Sequence, residues 1–389
     1  MFKEIGPCYV NADGNSTSRR EFSWINRANV LFIDQPIGIG FSVLANRSAA
    51  ATSLDAGARD LHAFLTTFTA SVFPELAHRP WHFAGESMGG HWTTGYAQYI
   101  MSRQQEEGGV GDLSLNIETI IAVSAYIDSS RTDVGLYDFF CDEEEGKHHS
   151  LMNETACAAM AAAVPECERL GALCRDTYDR HVCAVAAREC TAGVGKYFWD
   201  GVRPGGWDPY DSRNKCTEPP LCSDLNGGPA AVYLNQPWVQ ERLGFSQWPF
   251  ELIDFDLNER WTLEKHVFVP TTRELTWLLD NTDVRVLFVN GNNDIIVNTP
   301  GQLRLLDEQP WKRQAWFRNQ RLHEWYHSSG KLNESFGTKG GKWKGNYRLS
   351  IFTVDEAGHM SPADQPTALE AVVGSWVSGD WYRSWLSSD

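Results

Sequence analysis

The sequence predicts an α/β fold, because short, almost wholly apolar runs of strand length alternate with amphipathic helical segments and end in loops rich in Gly, Asn, Asp or Pro. That alternation describes a parallel sheet covered by helices on both faces, whose strands lack the polar half of an alternating pattern. Composition agrees: 389 residues, 42% hydrophobic and 22% charged, describe a folded chain of one large domain or two modest ones, not a disordered, collagenous or coiled-coil protein.

The run Ala28 to Asp34 reads as a first buried strand, closed by Gln35-Pro36-Ile37-Gly38. Residues 53 to 72 follow with helical spacing: Leu54, Ala58, Leu61, Phe64, Leu65 and Phe68 recur every three or four positions, and Pro74 stops them. Trp81 to Ala84 is a second strand, running through Gly85-Glu86-Ser87-Met88-Gly89-Gly90 into a helix from about 89 to 106. Thr119 to Ile127 is a third. Ala-rich pieces around 156–164 and 183–188 look helical, and a further helix starts at Pro237. Val284 to Gly291 and Tyr347 to Val354 complete the strands, and the Gly-, Lys- and Ser-rich stretch 327–346 reads as loop. The expected organisation is an α/β domain over 1–140 and 225–389, interrupted by an insertion over 141–224.

Charge and hydropathy exclude several functions. With 34 Lys and Arg against 50 Asp and Glu the net charge is −16, which leaves no electrostatic footprint for nucleic acid. No run reaches the roughly 18 apolar residues of a membrane span.

Eight of the nine cysteines lie between Cys141 and Cys222 and none forms a CxxC pair, so the insertion reads as disulfide-stapled rather than zinc-binding. Sequons at Asn15, Asn46, Asn153 and Asn333 agree with passage through an oxidising secretory compartment. Met1-Phe-Lys-Glu-Ile-Gly-Pro has neither the apolar core nor the cleavage site of a signal peptide, so the expectation is that residue 1 is not the true start and that Cys8 lacks a partner encoded upstream. The cluster Glu143, Glu144, Glu145, His148 and His149 reads as a solvated loop, and there is no HExxH; no metal is expected.

Gly85-Glu86-Ser87-Met88-Gly89 satisfies G-x-S-x-G. On a sharp strand-to-helix turn, glycines two positions either side leave room for strained backbone and close helix packing, and the serine Oγ stands exposed above the strand ends. Such a nucleophile needs a base oriented by an acid, following in the order Ser, Asp, His after later strands. Asp294 lies three residues past Gly291, ahead of Asp283 and Asp307 as candidates, and His359 follows the last strand, ahead of His327.

These motifs resemble the serine carboxypeptidases, over nearly the whole chain: Phe2-Lys-Glu4-Ile-Gly6-Pro7, Asn29 to Asp34 with Gln35-Pro36 and Gly38-Ile-Gly40-Phe41-Ser42, Phe73-Pro74-Glu75, Gly85 to His91, Tyr233-Leu234-Asn235 and Gly358-His359-Met360. The resemblance implies an α/β-hydrolase fold with a disulfide-rich, largely helical cap and incomplete N-terminal strands. It implies the pairs Cys141–Cys157, Cys167–Cys190, Cys174–Cys183 and Cys216–Cys222. It also implies Ser87 as nucleophile, His359 as base, Asp294 as its partner and the Met88 amide as oxyanion donor. Glu4 and Glu86 would bind the substrate's terminal carboxylate by sharing a proton, with Asn298 and Met360 as further substrate contacts. The expected partner is a peptide or protein with a free C terminus, no cofactor is implied, and the location is secreted or vacuolar.

Three departures stand out. The family's Trp-Leu-Asn-Gly-Gly-Pro-Gly segment, which supplies a second oxyanion donor, is absent upstream of Phe2. Met88 replaces an aromatic residue, and Val123-Ser124-Ala125 replaces a Gly-Asn-Gly-like turn. The expected activity is acid-favoured hydrolysis of the C-terminal peptide bond through an acyl-enzyme. The alternatives are an impaired peptide-binding descendant and an acyltransferase using the same residues.

Overall fold

The computed structural model describes residues 1–44, 46–106, 113–141, 151–222, 228–245, 248–328, 331–332 and 337–381. Asn333 and the Glu143–His149 cluster lie outside them. Two short strands, β1 (Cys8–Val10) and β2 (Thr17–Arg19), form an antiparallel ribbon near the start. The main sheet follows: β3 (Pro80–Glu86), β4 (Asn116–Val123), β5 (Arg285–Gly291), β6 (His323–Ser328), β7 (Lys331–Leu332), β8 (Thr338–Gly345) and β9 (Leu349–Val354), in the order β3-β4-β5-β9-β8-β6-β7.

The first four strands in that order are parallel and the rest antiparallel, so the sheet is mixed rather than purely parallel. The stretch 327–346 is the reason. Its glycines suggest a loop but belong to a hairpin, because side chains there would collide with neighbouring strands: a Cβ on Gly340 would meet Trp325 at 2.2 Å, and one on Gly341 the Thr353 carbonyl at 2.0 Å. Backbone approach, not flexibility, selects glycine here.

The central strands carry apolar residues on both faces. Ile120, Ala122, Val286, Phe288 and Ile351 point to one side, against α1 (Leu54–Thr67) and α2 (Met88–Glu106). Ile121, Val123, Leu287, Val289 and Phe352 point to the other, against Leu369, Val372 and Trp376 of the helix Pro366–Ser378. Helix α1 starts where Ser53 accepts a hydrogen bond from the Ala56 amide, and its buried face is Ala58, Leu61 and Leu65.

One expected strand does not form. Residues 29–34 carry no strand pairing, and Leu31 is 42% exposed. A cavity of about 1160 Å³ lies between Asn29–Ile33 and the free edge of β3, lined also by Trp81, Phe83 and Tyr96. An apolar run has strand propensity, but a strand needs a ladder partner, and among the described residues none is in reach across this gap.

The insertion is helical. Helix α3 (Ser129–Cys141) leads to α4 (Glu154–Thr177) and α5 (Arg180–Cys190), longer than their Ala-rich pieces suggest. Tyr178 ends α4 in the left-handed region (φ 50°), and Asp179 caps α5 by accepting from the His181 and Val182 amides. All four implied disulfides are present, and Cys8 is a free, partly exposed thiol. Arg175 of α4 ties that helix to the start of α3 through Asp128 (2.7 Å) and Ser130 (2.8 Å). Among the described residues no helix is long and apolar enough to cross a membrane.

Candidate active site

Strand register gathers the site. Glu86 pairs with Val123, Val123 with Val289, and Val289 with Phe352, so the four parallel strands end within two residues of one another, β5 and β9 running on to the Gly291–Val354 pair. Ser87, Ser124, Asp294 and His359 follow from those ends, at the carboxyl edge where open α/β sheets place their ligand sites.

Ser87 is held in the left-handed region at φ 55°, unusual for a residue with a side chain. Its amide donates to the Val123 carbonyl (3.0 Å), and its carbonyl accepts from the amides of Gly90 (3.0 Å) and Tyr126 (2.9 Å). The glycine requirement is not symmetrical. A Cβ on Gly85 would lie 2.1 Å from the Gly89 carbonyl oxygen, whereas one on Gly89 meets nothing within 4 Å. The second glycine that packing demands is Gly90, whose Cβ would approach that of Ala125 to 2.3 Å. The motif's last glycine is therefore not the one that lets the helix approach.

Asp294 is wholly buried, and its Oδ2 lies 2.7 Å from His359 Nδ1. Its Oδ1 accepts from the Val297 amide (3.0 Å), so the carboxylate is fixed at both oxygens. Burial works against a charged imidazole, but the Asp294 carboxylate, with Glu4 further off, outweighs it and raises His359 above its ordinary value. The His359 amide donates to the Tyr210 carbonyl (2.7 Å), and the Tyr210 ring lies 5.3 Å from the imidazole. The alternatives lie elsewhere: Asp307 pairs with Lys344, and His327 belongs to β6.

Ser124 was visible in the sequence only as a departure from the family turn, yet it joins these parts. Its backbone sits at φ 42°, which explains a glycine-like turn at this position. Its Oγ donates to the His359 carbonyl (2.9 Å) and lies against the Asp294 carboxylate. Strain at a fully buried polar residue was the missed signal, and it is one that a sequence does not display.

Glu86 and Glu4 meet side by side. Burial and the proximity of Glu4 push Glu86 well above the ordinary carboxyl range, and burial raises Glu4 as well, against the hydrogen bond that Glu86 donates to it. Glu4 Oε2 is buried without a hydrogen-bond partner. Asn298 differs from expectation in its surroundings. It caps the helix Thr299–Glu308 by accepting from the Gly301 amide and donates to the carbonyls of Thr132 and Ile295, so its amide is spent on the fold. Met360 directly follows His359 and is partly exposed.

A cavity of about 520 Å³ opens beside Ser87 and Met88. Trp92 and Trp261 form one wall with rings 5.9 Å apart, and the insertion closes the far side with Phe198 and Trp199.

A serine on a strained strand-to-helix turn, with an Asp–His pair after later strands of the same sheet, defines an α/β-hydrolase. The chain belongs to the serine carboxypeptidase family, whose model matches residues 1–379. It is 28% identical over 387 residues to carboxypeptidase Y homolog A of Aspergillus fumigatus, covering 98% of this chain and 66% of that protein. It is likewise 28% identical over 384 residues to the Neurospora crassa homolog A, covering 98% and 64%. The chain thus spans just under two thirds of the length of these curated relatives. The crystal structure of Kex1ΔP, a prohormone-processing carboxypeptidase from Saccharomyces cerevisiae, superposes with a TM-score of 0.80 at 20% identity, covering 97% of this chain and 79% of that one, which establishes the shared fold.

Proposed function

We propose that this chain carries the catalytic centre of a secretory-pathway serine carboxypeptidase that removes the last residue of peptides and proteins through an acyl-enzyme. The observation that carries the reading is the adjacency of a proton-sharing acid pair, Glu4 with Glu86, to the nucleophile Ser87, the residue next to Glu86. Such a pair donates a hydrogen bond to a terminal carboxylate, where two ionised acids would repel it.

In the proposed sequence Ser87 Oγ attacks the last peptide carbonyl as His359 Nε2 takes its proton. The Met88 amide faces the developing oxyanion, and His359 returns the proton to the leaving amino acid. Water then attacks the acyl-enzyme by the same route. Asp294 keeps the imidazole in the tautomer that presents a free Nε2. Ser87 Oγ makes no hydrogen bond among the described residues, and such contacts commonly tighten only when substrate arrives. Four disulfides support the oxidising compartment. The exposed side chains of Asn15, Asn46 and Asn153 leave those sequons open to glycosylation.

The test compares a blocked peptide having a free C terminus with its C-terminal amide across pH. The expected kcat/KM for the free acid falls on the alkaline side as the Glu4/Glu86 proton is lost, and falls on the acid side as His359 is protonated. The amide should lose the alkaline fall and keep the acid one. Identical alkaline behaviour of the two substrates would remove the acid pair from its role. Labelling of Ser87 by an active-site phosphonate without turnover of either substrate would favour a peptide-binding descendant.

A further inference from the structure

We infer that Asp133 makes the cavity beside Ser87 selective for a cationic side chain, lysine or arginine, on the substrate. The inference rests on the carboxypeptidase reading and adds to it the class of residue that the pocket accepts.

Helix α3 turns one face to the cavity: Ser129, Thr132, Asp133 and Leu136 all line it, the spacing of a single helical stripe. The other walls are largely apolar and aromatic, suited to a long methylene stem. Among the described lining residues the only charged groups are Asp133 and, on the wall that runs through residues 252–261, Asp254; no Lys, Arg or His lines the cavity. Asp254 already accepts from the Leu257 amide as a helix cap. Asp133 is 8% exposed, and among the described residues its one hydrogen bond comes from Thr191 Oγ1 to Oδ2 at 3.1 Å. A carboxylate offers about four acceptor positions, so most of its capacity is open to an occupant.

Among the described residues no cation answers this charge. The other ionisable groups facing it are Asp128, whose carboxylate is paired with Arg175, and the Tyr126 hydroxyl. A buried, uncompensated acid is costly to ionise, and burial accordingly pushes Asp133 up to about 7. A guanidinium or ammonium entering the cavity would supply the missing partner in a charge-assisted hydrogen bond. Below neutrality the protonated acid no longer offers its charge to an occupant, so the preference for a cation should strengthen as pH rises through 7.

The experiment uses the purified, disulfide-bonded protein. Blocked peptides that differ only by Lys or Leu, at the last position in one set and at the penultimate position in another, are compared by the ratio of their kcat/KM values from pH 5 to 8. At one of the two positions the Lys/Leu ratio should rise with pH, and Asp133→Asn, which can keep the Thr191 hydrogen bond, should lower it at least tenfold at pH 8. A merely structural Asp133 would change stability and leave the ratio where it was. A ratio unchanged in Asp133→Asn at both positions overturns the inference while leaving the carboxypeptidase reading intact. Failure of that reading would show instead as no turnover of any peptide. Equilibrium binding of N-acetyl-lysine amide against N-acetyl-leucine amide would then still decide the matter: tighter lysine binding lost in Asp133→Asn supports the pocket's selectivity, and equal binding overturns it.

Discussion

Strands β3 and β5 do the same task with unlike support. Each delivers a site residue just past its last position, Ser87 from β3 and Asp294 from β5. Yet β5 is buried along nearly its whole length between β4 and β9, while β3 is only partly buried and has a ladder partner on one side alone. The Asp294–His359 half of the site therefore rests on a covered sheet. The Ser87 half rests on three backbone hydrogen bonds around that residue and on the close approach of Gly90 to Ala125. Chemical placement and mechanical security are separate properties here, and each can be attacked alone.

The largest effects should come from removing either half outright. Ser87→Ala and Asp294→Asn should each lower kcat by about 10⁴-fold or more, the second by leaving His359 in the wrong tautomer. Steady-state assays check the loss, and unchanged circular dichroism would assign it to chemistry rather than folding. Next come covalent restraints remote from both strands. By loop length, opening Cys167–Cys190 (separation 23) should cost about 3.4 kcal/mol and opening Cys216–Cys222 (separation 6) about 2.2 kcal/mol. Urea unfolding of the paired Ser variants reads the difference.

The elbow itself gives a sharper contrast. Gly90→Ala should destabilise by about 1 to 3 kcal/mol through overpacking against Ala125, whereas Gly89→Ala, with open space and better helix propensity, should be neutral or gain up to about 1 kcal/mol. Equal effects of the two substitutions would mean that the helix does not approach the sheet as closely as described.

A smaller effect concerns pH. Folded Glu86 keeps its proton above the ordinary value of 4.5, where an unfolded carboxyl has lost it. The folded state then binds more protons, so this group's contribution to stability falls as pH rises from about 4.5 towards its raised value. Asp133 has the same sign between 3.8 and about 7. Glu86→Gln should flatten that decline in thermal unfolding from pH 4 to 8, and an unaltered slope would count against the buried pair. Smallest should be the difference in hydrogen exchange, with β3 amides exchanging ahead of those of β5 and β9.

How much of this could be read beforehand depended on whether a residue's reason is local. Strands β4, β5 and β9 are apolar on both faces, and that pattern is written into consecutive residues. That Asp294 and His359 come together at 2.7 Å was legible because position after a strand is a sequence property. Gly340 and Gly341 misled because a glycine needed for close backbone approach looks like one needed for a turn. The same blindness hid Gly90 behind Gly89. The Ala28–Asp34 run failed for the opposite reason: its own propensity was sound, but a strand is made by its neighbour. Ser124 and Asp133 could not be singled out, since what marks them is a buried environment assembled from β4, α3, the insertion and the loop after β9.

Among the described residues the outer edge of β3 is unpaired, and this has a further consequence, one for handling. An unpaired edge of a parallel sheet presents a row of backbone donors and acceptors, and any extended segment able to enter can dock there, including one from another copy of the chain. Association through that edge is second order in protein, so dilution should favour single molecules and concentration should favour pairs or larger species. The working concentration, as much as the buffer, then decides how far a sample associates.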